Sequence, residues 1–415
     1  MNTSKQTKFL NSDFFAPYIF FPFVFLIYFL AGYLFNFGRT HIFYLNQNNI
    51  PVLIVGFVAY FIGVLVFTKL NWSVPRLNLK FINNRMVVFI YLLGIIGLIS
   101  FLIMIFTGQI GIADESVRRH LDPRLNFLSS FLWFSVLVLF FYNIVNGKLT
   151  KRSFIINLAI LGVVFVLFIL SGYRTPLIIM VLTSLLCFHY IYKRIPLKWI
   201  MVLFILMSVT LSVFGYLRTV TEDKTEEFNQ EAEVNLDEED KEHVKEVKKT
   251  PEFVLAITAE FVNGRIVLSR ILEYTEEHGY MNGEVHKSIF STILPGEQIS
   301  PRMHITNMVN SLTKDNGVPV TREGRTTVPT IVGQFYADGG YILLAIGLFI
   351  VGAILAILYN DVKKYGFKSY SSIVYSFFTT IFVLGIHTGI LDLLFLLMLA
   401  FLLFTLIIYK PKTRN

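Results

Sequence analysis

Arginine is the residue type whose placement in this 415-residue chain points most directly to chemistry. Arg118 and Arg119 stand in ESVRRH with Arg124 shortly after, Arg174 in SGYRTP and Arg218 in GYLRTV. Arg265, Arg270, Arg302, Arg322 and Arg325 follow, while Lys287 and Lys314 are the only lysines between 253 and 341. A guanidinium offers a fixed fork of donors that matches phosphate oxygens in pairs, which an ammonium does not. Such a set suits a lipid-linked phosphate or pyrophosphate, or an acidic sugar. Any one of these arginines could equally pair with a loop carboxylate or reach a lipid headgroup; as a set they ask for an anionic ligand.

A transfer reaction on such a ligand also needs a base. Glu260 stands in an apolar setting that favours the neutral acid. His304, in SPRMHITNM beside Arg302, belongs to a class of side chain that titrates near neutral pH. His120 follows the Arg118–Arg119 pair. His387 and Asp392, in LGIHTGILDLL, are ionisable groups inside or at the edge of an apolar segment, where such groups are functional candidates; a helix cap is the alternative reading of Asp392. The chain holds no Gly-rich phosphate loop with lysine, no HExxH, no CxxC, no GxSxG and no short Asp-x-Asp pair. Nothing favours a cofactor, nucleotide use or metal-dependent hydrolysis. The single cysteine, Cys187, lies in an apolar run and reads as a small buried hydrophobe.

The elements that must position these residues are membrane helices. Hydrophobic residues make up 54% of the chain and charged residues 15%, so lipid must solvate much of it. Ten stretches are long and apolar enough to span: 16–36, 50–69, 86–107, 126–147, 153–171, 175–192, 197–216, 342–359, 370–387 and 389–409. With ten spans, eighteen Lys and Arg fall at the termini and in alternate loops on one side, against five in the short loops opposite. The positive-inside rule then puts both termini in the cytoplasm and 217–341 outside. That outside segment carries 13 Lys and Arg against 22 Asp and Glu, and the chain as a whole is +8. The basic balance thus sits in the cytoplasmic loops facing anionic lipid and does not indicate nucleic acid.

Four parts follow: a seven-span bundle (1–216), an acidic solvated linker (217–252), a folded extracytoplasmic loop (253–341) and a three-span bundle (342–415). The loop opens with a helical pattern. Phe253, Ile257, Phe261, Gly264, Val267, Leu268, Ile271 and Leu272 share one arc that includes Glu260, with Arg265 at its edge. Arg270 falls opposite, and Gly279 is a natural C-cap. In GRTTVPTIVGQFYADGGY, which leads into the eighth span, glycines permit a turn, Pro329 suits a first helical turn, and Tyr336 and Tyr341 suit headgroup level.

This all-α polytopic architecture, with about ten spans and one large outside loop carrying amphipathic helices, resembles the Wzy-type oligosaccharide repeat-unit polymerases of bacterial surface polysaccharide assembly. The local likenesses are SGYRTPLIIMVL, a Gly-x-Arg-Thr turn between two spans; TTVPTIVGQFYADGGYILLAIGLFIVG, a Ser/Thr-rich approach followed by an aromatic-x-x-x-Gly lead-in to a span; and the Ile-Pro loop ILPGEQISPRMH. The acidic stretch 219–252 departs from the pattern.

The resemblance implies a metal-independent glycosyltransferase in the bacterial inner membrane, acting on polyprenyl-pyrophosphate-linked glycans. A flippase and a chain-length regulator are the implied partners. Arg174, Arg265 and Arg302 are then expected on the pyrophosphate, supported by Arg118, Arg119, Arg218, Arg325 and Tyr336, with Glu260 or His304 as the base. A glycan ligase of similar architecture, a transporter or flippase for lipid-linked sugars, and a scaffold are the alternative readings.

Overall fold

The computed structural model describes residues 13–34, 48–77, 83–110, 122–147, 150–171, 174–200, 202, 252–292, 299–311 and 327–409. Every regular element among them is helical. They are α1 (Phe20–Leu34), α2 (Ile50–Lys69), α3 (Asn83–Phe106), α4 (Pro123–Val145), α5 (Lys151–Leu170), α6 (Arg174–Cys187), α7 (Glu252–His278), α8 (Glu284–Lys287), α9 (Pro301–Ser311), α10 (Thr330–Tyr365), α11 (Tyr370–Thr388) and α12 (Leu393–Ile408). One π turn, Phe188–Tyr192, extends α6.

Among the described residues, seven helices are long and apolar enough to cross a membrane: α2 to α5, α6 with its π turn, α10 and α11. Two further apolar helices, α1 with 15 residues and α12 with 16, are shorter than the roughly 20 residues a span needs. The expected span at 197–216 lies for the most part outside the described residues. Side chains such as Val88, Phe89, Leu92 and Ile95 on α3, and Ile155, Val163 and Val166 on α5, are about half exposed. So much apolar surface on continuous helices is suited to lipid and not to water. The chain is an all-α, multi-pass membrane protein.

Local chemistry sets the helix starts. Asp122 caps α4 by accepting from the Arg124 backbone N–H (2.8 Å), with Pro123 at the first position, where no N–H is needed. Thr150 caps α5 through the Ser153 N–H (3.2 Å). Pro329 stands one residue before α10, which Thr330 opens by accepting from the Gly333 N–H (3.0 Å).

The helices gather into two compact units. The first comprises 1–64, 196–352 and 382–391. Here α7 packs on α1 and α9, burying Val262, Ile266, Val267, Leu268, Ile271 and Leu272 as its periodicity predicts. Arg270 differs from expectation: it is 4% exposed and pairs with Glu273 (2.9 Å). Because α7 has neighbours on more than one side, Arg270 is covered as well, while Glu277 on the same face stays exposed. Gly279 ends the helix with φ +80°.

The second unit comprises 65–195, 353–381 and 392–415. Its core is built from α3 against α4, with Trp133 and Phe134 fully buried, and Tyr370 bonded to Thr405 (2.8 Å). Arg76 sits there as a structural ion. It pairs with the fully buried Asp361, donates to the Leu406 carbonyl and to Ser371 Oγ (3.0 Å), and lies over the Tyr365 ring (4.7 Å). Cys187 is free and fully buried.

Candidate functional site

The first unit brings ionisable side chains together where α1, α7 and the last turn of α11 meet. Tyr28 of α1 runs against Gly264 of α7, and its hydroxyl meets His387 Nδ1 at 2.8 Å. The approach requires glycine: a Cβ at 264 would stand 2.7 Å from Tyr28 Cζ and 2.8 Å from Cε1, and closer still to the hydroxyl. The next residue, Arg265, is half-buried, with its guanidinium 4.3 Å over the Tyr33 ring. Such stacking holds the cation in place. Asn49, before α2, anchors this part of α7 by donating to Ser269 Oγ (2.8 Å) and the Arg265 carbonyl (3.4 Å). His387 lies in the last turn of α11, where the helix dipole favours positive charge. Arg265, the neighbour of Gly264 in the chain, and His387, bonded to Tyr28, are thus two nitrogen-bearing groups near the same helix contact, a pairing suited to an anion.

A second polar cluster fastens the surrounding backbone. Residues 334–341, QFYADGGY, use nearly every position. The fully buried Asp338 carboxylate accepts from the Val285 N–H (3.0 Å), the His286 N–H (2.9 Å) and His286 Nδ1, so it caps α8 from another helix. The Ala337 carbonyl accepts from Met281 N–H (2.9 Å). Gln334 accepts from Ile390 N–H (2.6 Å) through Oε1, while its Nε2 faces the Ile390 carbonyl (3.2 Å) and His286 Nε2 (3.0 Å). At Gly339 and Gly340 the α10 helix breaks. Gly340 has φ +59° and ψ −148°, a region open essentially to glycine alone, and the Tyr280 ring lies where its Cβ would be. The glycine turn read from the sequence is therefore a break inside one long helix.

The sequence-predicted residues divide as follows. Arg265 is in the cluster just described. Glu260 stands on α7 one turn before Gly264, and its side chain is outside the described residues, as is that of Arg174 at the first position of α6. His304 and Arg302 are half-buried on α9, which packs on α7. Tyr336 is 6% exposed, its ring set edge-on to Tyr280 (5.8 Å) and Tyr341 (5.3 Å). Arg118, Arg119, Arg218 and Arg325 lie outside the described residues, as do His120 and Arg322. Asp392 takes the N-cap position of α12. Sequence reasoning missed Tyr28, Gln334, His286 and Asp338. Their partners lie 48 to 359 residues away, and no local pattern marks them.

The family described as "Putative O-antigen polymerase" matches residues 13–233 and 259–399. The chain belongs to the O-antigen polymerase family. The match includes every residue of the Tyr28–Arg265–His387 cluster and of the Gln334 cluster. It breaks between 233 and 259, so the O-antigen polymerase pattern omits part of the acidic stretch that the sequence already set apart. Comparisons with curated proteins and with solved structures give no match. Membership makes this polymerase-family chain a membrane protein of polysaccharide biosynthesis.

Proposed function

We propose that the chain joins polyprenyl-pyrophosphate-linked oligosaccharide repeat units into a surface polysaccharide. The acceptor hydroxyl oxygen attacks the anomeric carbon of the donor glycan. A new glycosidic C–O bond forms, the C–O bond to pyrophosphate breaks, and the polyprenyl pyrophosphate leaves with the bonding pair. The acceptor's proton passes to a base, Glu260 or His304. Arg265 neutralises the charge developing on the leaving group, with His387 as a second donor. Preorganised donors of this kind supply the largest single share of catalysis in many enzymes. Arg174 and Arg302 serve the same anion, with Arg118, Arg119, Arg218 and Arg325 supporting. The reaction is metal-independent and draws its energy from the pyrophosphate bond. Ten spans place both termini in the cytoplasm and 217–341 outside, where a flippase delivers the repeat units and a chain-length regulator acts.

The observation that carries this reading is the half-buried Arg265, stacked on Tyr33 beside the Tyr28–His387 pair in a chain of the O-antigen polymerase family. The test is complementation of a deletion strain. Arg265→Ala should leave single repeat units at the surface and remove the polymer ladder. Arg265→Lys should not restore it, because an ammonium lacks the planar fork. A full ladder in Arg265→Ala would overturn the role of Arg265. Accumulation of long lipid-linked polymer in the deletion strain would identify a ligase instead.

A further inference from the structure

We propose that Gln334 is a positioning residue of this site, holding the end of α11 that carries His387 through a clamp that requires an unprotonated His286. The proposal rests on the reading above, in which His387 and Arg265 bind the pyrophosphate.

The hydrogen-bond directions are fixed from the backbone outward. The Ile390 N–H can only donate and the Ile390 carbonyl can only accept, so the Gln334 amide has one orientation: Oε1 toward the N–H (2.6 Å), Nε2 toward the carbonyl (3.2 Å). The second hydrogen on Nε2 then points to His286 Nε2 (3.0 Å), which must accept. His286 Nδ1 faces the Asp338 carboxylate and must donate. The ring is thus held neutral, with its proton on Nδ1. It is also stacked on Phe335 (centroids 5.2 Å apart, 20° between planes). Among the described residues, the ionisable groups on the elements around it include Glu284 and Lys287 on α8, which pair with each other (3.1 Å), Arg302 and His304 on α9, which packs on α8, Tyr280 and Tyr336 beside the break in α10, and Asp392 two residues after Ile390.

What the clamp holds is short. Ile390 lies three residues after His387, across Thr388 and Gly389. The Gly389 N–H closes α11 on the Gly385 carbonyl (2.8 Å), and Gly389 has φ +72°. Holding both polar groups of the Ile390 peptide therefore fixes the turn that leaves α11, and with it the last turn and His387. Because His286 has Nε2 engaged and Nδ1 on Asp338, it acts through Gln334 and not on substrate.

The proton state gives a test that loss of packing alone would not mimic. A proton on His286 Nε2 would face the amide donor and weaken the wild-type clamp, so any uptake of a proton there works against it. In Gln334→Glu the logic reverses. One carboxylate oxygen still accepts from Ile390 N–H, but the other faces both the Ile390 carbonyl and His286 Nε2 and can bond either only when a proton lies between, so what is left of this clamp holds in acid and loosens toward neutral pH.

The experiment compares polymer yield across external pH in a complemented deletion strain, with each variant's amount in the membrane measured alongside. Gln334→Leu, which keeps the bulk, should lower yield about tenfold or more at equal protein. Gln334→Glu should be most active in acid, opposite to wild type, and adding His286→Ala to it should abolish that pH dependence. If Gln334→Leu does not accumulate, the Gln334→Glu profiles still decide. Wild-type yield in Gln334→Leu at equal protein, or parallel profiles for wild type and Gln334→Glu, would overturn the proposal. Arg265→Ala runs beside them: if it abolishes polymer while the Gln334 variants are silent, only this inference fails; if Arg265→Ala is itself silent, the reading of the site fails.

Discussion

Gly264→Ala tests the contact at the centre of the site. In an exposed helix interior this change stabilises by roughly 0.8–1 kcal/mol, because alanine loses less backbone freedom than glycine. Here the new methyl would lie 2.7 Å from Tyr28 Cζ and 2.8 Å from Cε1. The ring cannot simply swing aside: Tyr28 is 7% exposed, edge-on to Phe29 (5.1 Å), and bonded to His387 (2.8 Å). Overpacking a well-filled site costs about 1–3 kcal/mol. Losing the hydrogen bond between Tyr28 and His387 adds about 0.5–1.5 kcal/mol. The balance is a net destabilisation of roughly 1–3 kcal/mol, opposite in sign to the propensity effect.

Tyr28→Phe alone should cost about 1 kcal/mol, the worth of that hydrogen bond. The double variant should cost less than the sum of the two by about 1 kcal/mol, since the hydroxyl is both the atom nearest the new methyl and the group whose bond is lost. Unfolding of the purified full chain in lipid nanodiscs, followed by denaturant titration, reads all three. A Gly264→Ala protein more stable than wild type would refute the contact. Strict additivity would refute the coupling through the hydroxyl.

Three further outcomes follow from the same geometry. Gly340→Ala should destabilise by roughly 2–4 kcal/mol, combining a glycine-only backbone conformation with a Cβ 2.5 Å from the Tyr280 ring; Gly340→Ala with Tyr280→Ala should recover only part, because the backbone strain remains. Asp338→Asn should cost about 2–4 kcal/mol in the same unfolding measurement, because an amide cannot accept from all three donors that the carboxylate serves. Arg76→Met should cost about 3–5 kcal/mol by leaving Asp361 buried and unpaired, and Arg76→Met with Asp361→Leu should regain most of it. Equal stability of the single and double variants in the last case would mean that the pair is not desolvated.

Much of the fold was legible before any coordinates. Long apolar runs announce spanning helices because no backbone polar group can go unpaired in lipid. The arc on α7 and its glycine cap were readable because both are local, periodic signals. The acidic stretch stood out by composition, and the family match skips part of it. Arg265 and His387 were visible as charged groups in apolar surroundings. What was not readable was their meeting: Tyr28 and His387 are 359 residues apart, and only packing puts them in contact. Arg270 was misplaced for the same reason. A charge on a helix face or in a loop reads as solvated until a neighbouring element covers it.

By itself, then, the amino-acid order determined the solvent and the secondary structure, and it suggested an anionic ligand. Hydrophobicity and helical period are properties of neighbouring residues, and arginine's affinity for phosphate is a property of one side chain. Tertiary structure decided the register of the site. It made glycine obligatory at 264 and 340, turned Asp338 into a cap for a distant helix, and fixed the proton on His286 through a chain of donors and acceptors that starts at the Ile390 peptide. Hydrogen-bond direction and steric exclusion act over a few ångströms of space, whatever the distance along the chain, and so only the folded protein can set them.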